Sequence, residues 1–167
     1  DSKKDSFENV CTELTKKGCI ASLIREIPCY LFCSDFNINM LRGLNSIELA
    51  MIFSMFTNIS INEEQLLIKP ITSNEKVNEF AITVNEELKK FQQNESTYNI
   101  ENDDTVIIYD IMDYVNEWCL CESDIDCNTV KNKLLQEKNI YLGEFAKGLL
   151  KIVNISNEME RVAEFLE

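Results

Sequence analysis

Lys147, Lys151 and Asn154 are the residues of this sequence whose types and spacing could contact an anionic polymer. At intervals of four and three residues they share one face of an α-helix. A helix that packs on one side and carries lysines on the other can lie along a phosphate backbone. An ordinary surface helix has the same spacing, and on spacing alone that interpretation is favoured. The residues expected on the packed side are Phe145, Leu149, Ile152, Met159 and Ala163.

No pattern in the chain predicts a catalytic site. The sequence has no histidine, which excludes a His-based triad, an imidazole base and a histidine metal ligand. It also lacks the G-x-x-x-x-G-K-[ST] loop that binds nucleotide phosphates and the G-x-S-x-G turn that holds a serine nucleophile. Four groups of neighbouring carboxylates are predicted to be solvated acidic loops. They are Glu63-Glu64, Glu86-Glu87, Asp103-Asp104 and Glu122/Asp124/Asp126.

The seven cysteines are an odd number, and several stand beside apolar residues. This favours reduced, buried thiols in an intracellular protein. The alternative is a zinc or redox site made by Cys29 and Cys33, or by Cys119, Cys121 and Cys127. The absence of histidine and of a paired C-x-x-C speaks against that site, so the prediction is that no metal binds.

Composition predicts one helical domain with an apolar core. The chain has 167 residues, of which 45% are hydrophobic, and only four Gly and two Pro, too few for the turns of a sandwich or barrel. The net charge of −13 argues against a free-standing nucleic-acid binder. This charge is still compatible with a local nucleic-acid contact inside a larger protein whose other domains carry the basic surface.

Apolar periodicity and capping signals predict an all-α bundle of about six helices with little or no sheet. Lys16-Lys17-Gly18 predicts a turn, and Asn45 with Glu48 predicts a capping box. Residues 58–74 and 92–104 are predicted loops. Six helices are predicted. The first runs from Pro28 to about Phe36, the second begins at Asn45, and the third spans Val77 to Phe91 with Ser73 as its cap. The fourth spans Ile107 to Trp118, the fifth is short and includes Val130 to Leu135, and the sixth begins at Gly143.

The chain has no apolar run long enough to span a bilayer and no signal-peptide pattern, which predicts an intracellular, reducing location without membrane contact. It opens without methionine and stops within a helical pattern, so we expect a fragment of a longer protein. Residues 1–17 are predicted to be a frayed remnant of a preceding domain, and residues 18–167 the bundle. The Asn-rich, His-free composition fits a viral or protist source.

Five motifs occur in an order that resembles a known family. Residues 14–26 follow the pattern L-T-x-K-G-x-I-A-x-x-I-x-E, and residues 41–49 and 53–56 come after it at familiar distances. Residues 109–118 resemble a tryptophan-bearing helix, and residues 143–147 resemble a G-x-[FI]-x-[RK] helix start. Together they resemble the DSHCT domain, the C-terminal helical domain of exosome-associated superfamily-2 RNA helicases of the superkiller and nuclear-exosome type.

The resemblance implies a domain of an ATP-dependent RNA helicase. In that family, upstream RecA-like domains hydrolyse ATP with Mg²⁺, and the bundle closes over the translocating RNA strand. Residues 143–163 would be the ratchet helix that touches the strand through Lys147, Lys151 and Asn154. RNA-decay proteins are the implied partners.

The chain departs from the family in four places. It has Lys where the family favours Arg, it lacks the Gly that commonly follows the Trp, its span from Trp118 to Gly143 is long, and the family's closing helix does not follow. Two other interpretations stay open: a helical module that docks a partner protein without touching nucleic acid, and the cysteine-based site above.

Overall fold

A computed structural model describes residues 14–62, 64, 66–100 and 105–167, with the backbone alone at residues 35 and 36. Over these ranges the chain is all-α and contains no strand, which confirms the predicted fold class. These ranges contain eight helices where about six were expected, because α1 forms where a turn was predicted and one predicted helix divides into α2 and α3. Their bounds are α1 Lys16–Leu23, α2 Cys29–Phe32, α3 Asp35–Arg42, α4 Ser46–Ser54, α5 Glu75–Thr97, α6 Met112–Cys119, α7 Asp124–Lys138 and α8 Leu142–Leu166.

Helix α4 lies at the centre of the bundle and packs against α5, α6 and α8. Its residues Met51, Ile52 and Phe53 are all nearly inaccessible to solvent. A helix that is apolar around most of its circumference must be covered by neighbours on every side. The helices that surround α4 therefore share one continuous core.

The predicted capping box at the start of α4 is confirmed. The Asn45 side chain accepts from the backbone N–H groups of Ile47 and Glu48, and the Glu48 carboxylate accepts from Asn45 N at 2.8 Å. The other oxygen of the Glu48 carboxylate accepts from the Asn74 amide at 2.9 Å. Asn74 in turn caps α5 by accepting from Val77 N, so Glu48 joins the starts of two helices.

The first two predictions along the chain were wrong in detail. Lys16, Lys17 and Gly18 form the first turn of α1, not a turn between elements, because the Thr15 hydroxyl accepts from Gly18 N and caps the helix. The helix predicted from Pro28 to Phe36 is broken in two. Ser34 caps a new helix, α3, by accepting from Asn37 N at 3.2 Å. Of the segment predicted to be frayed, residues 1–13 lie outside the described residues.

Two later helices also differ from their predictions. Asn74, not Ser73, caps α5, and α5 continues past Phe91 to Thr97, into the predicted connector. Ile107 and Ile108 precede α6 instead of belonging to it. Ile108 N donates to Met55 O at 3.0 Å, which draws this segment against the end of α4.

We predict that Glu48→Gln lowers the free energy of unfolding at neutral pH by about 1 kcal/mol, the difference between hydrogen bonds to a charged and to a neutral acceptor. The bonds from Asn74 and from Asn45 N hold the pKa of Glu48 below its ordinary 4.5. The native state therefore favours the carboxylate, and this stability is lost as pH falls through that lowered pKa. Urea denaturation should show the variant and the wild type converging in acid.

The matched control is Glu79→Gln on the exposed side of α5. It should change stability little at either pH. A Glu48→Gln deficit that stayed constant with pH would contradict this account.

Candidate nucleic-acid interface

Helix α8 is fixed by a row of residues at alternating intervals of three and four. Phe145, Gly148, Ile152, Ile155 and Val162 are the buried residues of the helix. Leu149 and Met159 are partly buried against the same core, as predicted. Ala163 is exposed, so its predicted place on the packed side was wrong, because the row continues from Met159 to Val162.

Gly148 lets α8 approach the segment after α4 very closely. A Cβ atom at this position would lie 2.6 Å from Cδ1 and 3.3 Å from Cγ1 of Ile59. Ile59 is itself buried and cannot move aside freely. The absence of a side chain at residue 148 therefore sets how near α8 lies to this part of the core.

The start of α8 is held by an aromatic contact with α6. The rings of Trp118 and Phe145 meet edge to face, with centroids 5.4 Å apart and planes at 80°. Pairs of this geometry contribute about 0.5–1.5 kcal/mol beyond the area they bury. Trp118 thus fixes the first turn of the helix that carries the predicted contact residues.

The structure brings Lys147, Lys151 and Asn154 onto one side of α8, beside its buried row. Lys147 and Asn154 are exposed, and Lys151 is half-buried at the edge of a cleft. The Lys147 ammonium lies 3.6 Å from the Glu144 carboxylate, but 79% of the Lys147 side chain is accessible. Solvent screens such a pair strongly, so Lys147 keeps its capacity to meet another anion.

Glu158 lies near this surface, and no pattern in the sequence singles it out. Its Oε2 accepts from the backbone N–H groups of Arg25 at 2.9 Å and of Glu26 at 3.0 Å. The contact joins α8 to the segment after α1. The partners are more than 130 positions apart in sequence, so no local pattern could have predicted it.

A polar network supports α6 on the side of α7. The Asp110 carboxylate is inaccessible to solvent, and it accepts from Lys138 Nζ at 2.6 Å and from Leu67 N at 3.1 Å. The Tyr114 hydroxyl donates to Glu137 at 2.6 Å. Burial, and then this bond to the carboxylate, raise the pKa of Tyr114. The network locks the helix that carries Trp118.

The predicted acidic loop at residues 122–126 has a structural role instead. Ser123 caps α7 by accepting from Asp126 N, and the Asp126 carboxylate accepts from Ser123 N at 3.0 Å. The bond from the Ser123 side chain lowers the pKa of Asp126. Glu86 and Glu87 lie within α5, not in a loop, and Glu87 accepts from the Asn37 amide at 2.5 Å. Glu63, Asp103 and Asp104 lie outside the described residues.

Of the cysteines that the structure describes, Cys19 lies in α1 and the others fall into two separate groups. Cys29 begins α2 and Cys33 directly follows it, while Cys119, Cys121 and Cys127 lie at the end of α6 and the start of α7, where the Cys121 thiol donates to Glu117 O at 3.4 Å. Burial raises the pKa of the Cys121 thiol, which disfavours the thiolate that metals bind. Within the described ranges, no three Cys, Asp or Glu side chains converge in a way that could hold a metal ion.

Comparison with known proteins does not identify a family. No protein-family model, no curated protein and no solved structure matches this chain. In the part of the chain that the structure describes, no helix is both long enough and apolar enough to cross a bilayer.

We predict that Gly148→Leu destabilises the domain by about 2 kcal/mol, because the new side chain would overpack against buried Ile59. Thermal unfolding followed by circular dichroism measures the effect. Gly143→Ala is the matched control, since a Cβ atom there meets no atom within 4 Å. The control should shift stability by no more than about 1 kcal/mol, in the stabilising direction. Equal melting temperatures for the two variants would contradict the close approach.

Proposed function

We propose that this chain is the C-terminal helical domain of an ATP-dependent RNA helicase, and that α8 guides the translocating strand. The observation that carries the proposal is the row formed by Lys147, Lys151 and Asn154 along α8. All three positions retain solvent access, while the adjoining face is anchored in the core. A rigid helix that presents cations at helical spacing can follow a phosphate backbone.

Each residue of the row has a separate chemical role in the proposal. Lys147 and Lys151 act as mobile point charges toward successive phosphates, and the Asn154 amide bonds to a sugar or a base edge. ATP and Mg²⁺ belong to the upstream RecA-like domains of the helicase. In this proposal the part of the domain in the cycle is mechanical, in keeping with a sequence that has no histidine and no nucleotide-binding loop.

The net charge of −13 fits a contact that is local and depends on other domains. Long-range attraction of RNA needs clustered cations, and an acidic domain opposes it. We therefore assign capture of the strand to the rest of the helicase, and assign to α8 the short-range contact once the strand is in place. RNA-decay proteins are the partners that this assignment implies.

We predict that Lys151→Glu in the complete helicase reduces RNA-stimulated ATP hydrolysis and unwinding by about tenfold, or ~1.4 kcal/mol, through one reversed phosphate contact. The matched control is Lys90→Glu on the exposed side of α5, which makes the same charge change away from the row. Circular dichroism should show both variants folded. If Lys151→Glu unwound RNA as fast as the wild type, the assigned contact between Lys151 and RNA would be wrong.

One observation favours a second candidate, a helical module that docks a partner protein. Leu142, Leu150 and Val153 lie on the outer side of α8, beside the lysine row, and 66% of Leu150 is accessible. Exposed apolar residues that recur at helical spacing are typical of docking helices. A map of which residues touch RNA decides between the two functions, since only the helicase proposal expects contacts on α8.

A further inference from the structure

A cleft opens beside Lys151, between α8 and three other segments of the chain. Its walls come from residues 24–30, 56, 58–59, 105–106 and 108, together with Lys151. Its volume is about 770 Å³, within the range of sites that hold a ligand the size of a nucleotide. Lys151 therefore belongs both to the lysine row of α8 and to the lining of this concave site.

Two cations line this cleft, Arg25 and Lys151. Among the residues that the structure describes, no carboxylate lies within ion-pair distance of either side chain. Lys133 and Lys138, by contrast, are paired with Glu117 and Asp110. The domain has a net charge of −13, so two cations in one cleft without a carboxylate partner among the described residues are notable. Their positive charge is suited to binding an anionic ligand.

The position of Arg25 is fixed by α8 itself. Glu158 accepts from the backbone N–H of Arg25, and Glu158 follows Lys151 by seven residues, which is two helical turns. The two α8 residues are therefore on one side of the helix, about 10 Å apart along its axis. The Glu158 carboxylate accepts hydrogen bonds from the backbone of this segment and not from the Arg25 side chain. The guanidinium of Arg25 can therefore contact a ligand in the cleft.

Two polar side chains from other segments of the wall, Asn58 and Thr105, line the cleft together with the two cations. Asn58 is exposed there in the left-handed conformation, with a φ of 57°, and Thr105 is partly exposed. The ring of Tyr30 stacks on Phe91 with centroids 3.8 Å apart, which makes this wall rigid. Amide and hydroxyl groups of this kind bind the sugars of nucleic acids.

We propose that this cleft binds the phosphodiester backbone of single-stranded RNA, with Arg25 and Lys151 clamping one phosphate. The inference rests on the proposed function and extends its site, because the strand leaves the lysine row and enters the cleft. Arg25 supplies a planar fork that bonds two phosphate oxygens, and Lys151 adds a point charge. Asn58 and Thr105 face the adjoining riboses. Glu26 at the rim repels phosphate and keeps binding weak.

The test is an NMR titration of the ¹⁵N-labelled chain with a uridine octanucleotide at low salt, which detects weak, site-resolved binding. We expect amide shifts at Asn58, at Thr105 and in the segment around Arg25, as well as around Lys151. Arg25→Gln should weaken binding about fivefold, as loss of one charge-assisted contact does. The matched control is Arg42→Gln on α3, which should leave binding within about twofold of wild type.

The outcomes separate the cleft from the proposed function. Shifts confined to α8, together with wild-type binding by Arg25→Gln, would overturn the cleft and leave the lysine row in place. If the Arg25 and Arg42 variants weakened binding equally, the loss of net positive charge would explain the effect, and the proposed cleft site would be overturned. An absence of shifts anywhere would overturn the cleft, while the ATPase of Lys151→Glu would still decide the proposed function.

Discussion

The close approach of α8 to Ile59 at Gly148 is the contact on which the rest of this surface depends. It decides which side of α8 is buried, and the buried side decides where Lys147, Lys151 and Asn154 lie. The Trp118–Phe145 pair fixes the same helix one turn earlier, and Glu158 fixes it near the other end. The packing of α8 therefore determines which way Lys147 and Lys151 point, because the positions of residues around a helix are fixed relative to one another.

Local signals in the sequence were sufficient where a structure is made by neighbours in the chain. The Asn45–Glu48 capping box follows from two residues three positions apart, and the start of α8 near Gly143 follows from its periodicity. Both depend on bonds within one or two helical turns. The all-α class could be predicted for the same reason.

Some predictions missed local caps, as at Thr15 and Ser34, and others failed where a distant partner decides the conformation. Ile107 and Ile108 fit a helical pattern, but the bond from Ile108 N to Met55 O and the burial of Asp110 keep the chain out of a helix until Met112. No motif marks Arg25, since the bond from its backbone to Glu158 holds it against α8, where it lines the same cleft as Lys151. These contacts join residues that are far apart in the sequence, so no local spacing predicts them.

We propose above all that RNA contacts α8. Ultraviolet crosslinking of the proposed full-length helicase to single-stranded RNA, followed by mass spectrometry of the peptides, tests this most directly. The account predicts adducts on the α8 peptide that carries Lys147, Lys151 and Asn154. Adducts on the motor domains with none on α8 would contradict it and would favour the protein-docking function.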